Sequence, residues 1–140
     1  DVLRASSAMP FVSQPVEIGT QTYLDGGISD SIPFQKMYEL GYEKLVVVMT
    51  KPYEFKRKPM NEVLTRFVYG KRCPEFSKLL LNRHIMYNHQ LELLKEYEKQ
   101  GIASVIRPSR KCKVSRIEKN TKKLEQLYQL GKHDAYQWLR

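Results

Sequence analysis

The residues of this chain whose types and order suggest chemistry are Tyr23-Leu24-Asp25-Gly26-Gly27-Ile28-Ser29-Asp30-Ser31-Ile32-Pro33. A short extended run from Gln21 to Leu24 ends in a carboxylate, two glycines follow, and Pro33 falls at the first turn of a helix. A carboxylate at the carboxyl end of a strand lies where open α/β sheets carry their chemistry. Glycines, having no Cβ, admit the close approach of another backbone. Asp25 is therefore the candidate catalytic residue, with Gly26 and Gly27 supporting it. Asp25 and Asp30 flank the glycines, but the stretch lacks the alternating oxygen ligands and distal glutamate of a calcium loop, so no metal is assigned. Asp30 is expected to cap the helix that follows.

Other reactive side chains form no such pattern. His84 and His89 are five apart, off the i, i+4 spacing of zinc-binding helical pairs, and His133 stands alone near the carboxyl end. Cys73 and Cys112 are far apart in sequence, which indicates neither a zinc site nor a disulfide framework and fits a reducing, cytoplasmic setting. Ser6 and Ser7 lack the glycine elbow of a serine nucleophile.

The elements that must position Asp25 follow from spacing. Val16-Glu17-Ile18 and Gln21-Thr22-Tyr23-Leu24 alternate about Gly19-Thr20 and predict a hairpin that delivers Asp25. An opening helix is expected through Met9, and a second from Pro33 to Leu40 with Gly41 at its C′ position. Leu45 to Met49 is a continuous apolar run with three β-branched valines at its centre, predicted as a parallel strand buried on both faces, and Ile102 to Ile106 is predicted as another buried-type strand. Helices are predicted from Glu62 to about Tyr69, from Pro74 to Lys99, and from about Asn120 to Leu130 with continuation toward Trp138. Strands alternating with helices make the fold α/β. Two central strands are fewer than the five or six of a doubly wound sheet, so the chain, which opens at Asp1 without a methionine, reads as part of a longer protein.

With 140 residues, 41% hydrophobic, the chain can bury a real core, and its formal net charge of +9 favours anionic partners. The bias peaks between Arg107 and Lys123, where Glu118 is the single acid. Two readings compete for these cations. One is docking on an anionic membrane surface through Arg107, Arg110, Lys111, Lys113 and Arg116, which adds a peripheral membrane position to the cytoplasmic one. The other is a non-catalytic module that binds nucleic acid or phosphate. Nucleic acid is not expected, because there is no zinc finger, RNP-type aromatic motif or helix-turn-helix.

Taken together, Ala5-Ser6-Ser7-Ala8-Met9-Pro10, Tyr23-Leu24-Asp25-Gly26-Gly27, Ile32-Pro33 and Gly41-Tyr42-Glu43-Lys44-Leu45-Val46-Val47-Val48 resemble, in order and spacing, the bacterial patatin-like phospholipases. The resemblance covers about the first fifty residues. It implies the carboxyl-terminal portion of a three-layer α/β/α domain with a mainly parallel central sheet, its amino-terminal half absent. Residues 1–107 would belong to that catalytic domain, and 108–140 would form a basic segment and terminal helix. It also implies a serine acyl hydrolase that cleaves lipid esters with a Ser-Asp dyad and no cofactor. Asp25 matches the family's aspartate; the Gly-x-Ser-x-Gly elbow and the glycine-rich oxyanion loop do not occur in this sequence. The 140 residues alone are therefore expected to be inactive, and prone to self-association through apolar sheet edges.

Overall fold

A computed structural model describes residues 1–115 and 118–140. The chain is mixed α/β and divides into two compact units, one formed by residues 1–35 and 57–93, the other by 36–56 and 94–140.

The first unit begins with helix α1 (Val2–Ser6), followed by the antiparallel hairpin β1 (Val16–Ile18) and β2 (Gln21–Tyr23). Gly19 turns the hairpin at φ +63°, a conformation that costs a glycine little. Ala5 and Ala8 bury against Val16, with Ile18 and Leu24 packed around them. Their small side chains bring the opening segment close enough for the Asp25 N–H to donate to the Ala8 carbonyl at 2.9 Å.

Helix α3 (Glu62–Thr65) is capped by Asn61, whose Oδ1 accepts from the Leu64 N–H at 3.0 Å, and it widens into a π-helical turn over Arg66–Gly70. The predicted helix to Tyr69 is thus real but not uniformly α. An edge-to-face series runs from Phe11 to Tyr69 and on to Phe76, with ring centroids 5.1 and 5.0 Å apart. Phe11 takes a left-handed backbone (φ +66°), held by its N–H donating to the Tyr69 hydroxyl at 3.1 Å. Helix α4 (Pro74–Lys99) contributes its residues through Leu93 to this unit. Here it buries Ser77, Leu80, Tyr87 and Gln90, a stripe at helical spacing. Arg57 lies over the Tyr87 ring, 4.3 Å from its centroid, and Asn88 holds the Arg57 backbone by both its N–H and its carbonyl.

In the second unit helix α2 (Phe34–Glu39, counted here from Lys36) leads to strand β3 (Leu45–Val48), which pairs in parallel with β4 (Ala103–Ile106). The parallel pairing agrees with the sequence; the burial does not. Leu45 is buried, but Val46 and Val48 are 59% and 70% exposed, so β3 is covered on one face instead of two. A two-stranded pair simply has no second layer on that side. Gly101 ends α4 at φ +68° and its carbonyl accepts from Lys44 Nζ at 2.8 Å. Helix α5 (Thr121–Trp138) runs unbroken through Gly131 and buries Leu130.

The start of α5 is fixed by side chains. Asn120 Oδ1 accepts from the Lys123 N–H, and Glu118 Oε1 accepts from the N–H groups of Lys119 and Asn120, each at 3.1 Å. The Asn120 N–H is the main cause holding the Glu118 carboxyl below the usual carboxylate range; partial burial opposes it and Lys123 adds to it. A depressed folded pKa gives stability that is present above the unfolded value and lost as pH falls through the folded one. Glu118→Gln should therefore be less stable than the parent chain in urea at pH 7, and the difference should close as the pH falls through the lowered pKa of the folded Glu118 carboxyl.

Candidate functional site

Asp25 is half-buried at the end of β2, directly before a 3-10 turn over Gly26–Ile28. Its Oδ1 caps that turn, accepting from the Gly27 N–H at 2.7 Å. Oδ2 has no hydrogen-bond partner among the described residues. The strand that delivers Asp25 belongs to the antiparallel hairpin, as the alternation about Gly19-Thr20 predicts. The carboxylate is placed by a strand end, because β2 and the Ala8 carbonyl fix the backbone on its amino side.

The twin glycines divide their work. A Cβ on Gly26 would meet only Ser6 Oγ, at 3.9 Å, which leaves its outer side open to an approaching group. The space beside Gly27 is already taken: a Cβ there would lie 3.0 Å from Asp25 Oδ1 and 3.2 Å from an Arg83 guanidinium nitrogen. Gly27 therefore makes room for groups of this same chain, not for an incoming backbone as expected.

The rest of the loop is tied down. Ser29 N–H and Asp30 N–H both donate to the Gly26 carbonyl, and the Ser31 hydroxyl donates to the Gly27 carbonyl. Asp30, expected to cap α2, has its carboxylate engaged from α4, where Gln90 Nε2 donates to Oδ1 at 2.6 Å. Gln90 Oε1 also accepts from the Ile32 N–H at 3.2 Å. Arg83, Ser31 and Gln90 were not legible as site residues, since they lie up to 60 positions from their partners. The available signal was a glutamine on the buried stripe of α4 between Tyr87 and Leu94, since an amide seldom sits there unless it is paired.

The basic segment is less uniform than its sequence. Arg107 is committed within the second unit: it forms an ion pair with Glu98 and lies over the Tyr53 ring, 4.9 Å from the centroid, with only 19% of its side chain exposed. Arg107 is thus withdrawn from the proposed anionic-surface set. Arg110, Lys111 and Lys113 are exposed, and Arg116 lies outside the described residues. His84 donates from Nδ1 to the Leu81 carbonyl at 2.8 Å, an intrahelical bond.

Comparison with known proteins falls into two parts. A family model described as patatin-like phospholipase matches residues 1–38, and one described as a domain of unknown function, DUF6363, matches residues 73–140. The uncharacterized protein YjjU of Escherichia coli (strain K12) is 49% identical over 53 residues, covering 37% of this chain. The chain spans 15% of the length of that relative. No solved structure matches it.

Proposed function

We propose that this chain is the carboxyl-terminal part of a patatin-like serine acyl hydrolase acting on lipid esters, and that Asp25 is its catalytic base. The observation that carries this reading is that the patatin-like match over residues 1–38 contains a carboxylate held by one oxygen to its own turn, with the other oxygen unengaged. In this reading further strands and an amino-terminal half, encoded upstream, complete a three-layer α/β/α domain around β3 and β4 and cover Val46 and Val48.

The chemistry proceeds in two balanced halves. An upstream serine hydroxyl attacks the ester carbonyl as its proton passes to Asp25 Oδ2. The tetrahedral intermediate then expels the alcohol, which takes that proton, and an acyl-serine remains. Water attacks the acyl carbon and gives its proton to Asp25; the proton returns to the serine oxygen as the carboxylic acid departs. Gly26, bare on its outer side, lets the serine-bearing loop come close. Oxyanion stabilisation, which supplies several kcal/mol in such reactions, would come from the upstream segment. The test is ester hydrolysis by a protein that carries this chain together with its upstream sequence, compared with its Asp25→Asn variant.

Among the described residues no helix is long and apolar enough to cross a membrane. Contact with a lipid phase is assigned here to surface cations. Arg110, Lys111 and Lys113 are the exposed members of the set. Replacing Lys111 and Lys113 by alanine should weaken binding to phosphatidylserine vesicles by roughly 30-fold, at about 1 kcal/mol for each cation near the surface. Binding to neutral vesicles should not change. Equal binding of the parent protein to both vesicle types, insensitive to salt, would remove this partner from the account.

A further inference from the structure

We propose that helix α4, within the segment matched as a domain of unknown function, is a clamp that sets the conformation of the Asp-Gly-Gly loop, with Gln90 as its positioning residue. The proposal deepens the hydrolase reading, because the loop it clamps carries the assigned base.

Gln90 is 6% exposed, and its amide is spent on one short stretch of chain. Nε2 donates to Asp30 Oδ1 at 2.6 Å and reaches the Ile32 carbonyl at 3.4 Å, while Oε1 accepts from the Ile32 N–H at 3.2 Å. Those partners stand five and seven residues beyond Asp25, and the loop passes the constraint backward. Asp30 N–H donates to the Gly26 carbonyl at 2.9 Å, Ser31 Oγ to the Gly27 carbonyl, and Gly27 N–H to Asp25 Oδ1. Arg83, almost two turns before Gln90 on α4, closes the same loop from its other end. Its Nε contacts Ser31 Oγ at 3.5 Å, and its terminal nitrogen occupies the space beside Gly27. Two polar side chains of one helix thus engage both halves of one seven-residue turn. The patatin-like match ends at residue 38, so the groups that lock its loop come from the segment that match does not reach.

A merely space-filling amide would be indifferent to which partner donates. A clamp depends on the Gln90–Asp30 hydrogen bond, and that bond can be broken and rebuilt. Gln90→Glu keeps the shape but sets two carboxylates against each other; adding Asp30→Asn restores a donor facing an acceptor, with the direction reversed. Two measurements would be made on the single and double variants: amide hydrogen exchange at Gly27 and Ile32 in this chain, and hydrolysis of a short acyl ester in the protein with its upstream sequence.

At neutral pH, Gln90→Glu should speed exchange at both amides by about tenfold, the loss expected for one buried hydrogen bond, and lower kcat by a similar factor with KM little changed. The double variant should recover both. Exchange at Gly27 and Ile32 that is unchanged in Gln90→Glu, or fast exchange that Asp30→Asn fails to reverse, would overturn the clamp. Exchange that follows the prediction while the unmutated longer protein hydrolyses no ester would retain the clamp and reject the hydrolase reading, so the two are separable.

Discussion

Asp25→Asn, in a protein that carries this chain with its upstream sequence, is expected to lower kcat for ester hydrolysis by about 10²–10⁴-fold, the range a positioned general base supplies. The substitution is chosen because it isolates charge from shape. An asparagine Oδ1 can still accept the Gly27 N–H that now lies 2.7 Å from Asp25 Oδ1, so the 3-10 turn over Gly26–Ile28 keeps its cap. What changes is the other position, where an amide nitrogen replaces Oδ2 and cannot take the serine proton. KM should move little, because the carboxylate is not assigned to substrate binding. Unaltered thermal unfolding would confirm that the loss is chemical. A fall below about tenfold would mean that the serine finds its base elsewhere, and Asp25 would revert to the bland role of a turn residue.

The second large effect concerns stability. Leu80 is 1% exposed on α4, in the stripe that also buries Ser77, Tyr87 and Gln90. Leu80→Ala should cost about 2–5 kcal/mol, because the lost transfer energy adds to that of the cavity left behind. Against the 5–15 kcal/mol that holds a typical domain, this is a large share. It should appear in urea unfolding as a lowered midpoint at constant slope. Leu79, the adjacent residue, is 49% exposed and serves as the control: Leu79→Ala should change stability by no more than about 0.5 kcal/mol. Equal effects at the two positions would mean that α4 is not seated as described.

Much of this architecture was legible from local signals. Helix α4 has the bounds that its apolar phase and Gly101 indicate, and the hairpin has the register that alternation about Gly19-Thr20 requires. Asn120 caps α5 through Lys123 N–H, and Gly131 does not interrupt it, because a single exposed glycine costs a helix only about 1 kcal/mol. Burial was harder to read. The run Leu45 to Val48 specifies a strand suited to two covered faces, but whether both are covered depends on partners that sequence does not place.

The site was legible only in part. Asp25 and its glycines form a contiguous motif, and the strand-loop-helix order around them is visible in residue types alone. The π-helical turn at Arg66–Gly70 leaves no mark in side-chain phase. Arg107 reads as one more cation in a basic run, and only its pairing with Glu98 and Tyr53 shows that it is committed. Gln90 is tied to residues some 60 positions away, and no local pattern reports such a bond.

The account's central claim is that Asp25 takes the proton of a serine hydroxyl, and the most direct measurement is the rate at which a fluorophosphonate attaches to the protein with its upstream sequence. The account predicts one labelled serine, encoded before Asp1, with attachment slowed by about 10²-fold or more in Asp25→Asn. Labelling at a rate that Asp25→Asn leaves untouched, or no labelled serine in a folded protein, would contradict it.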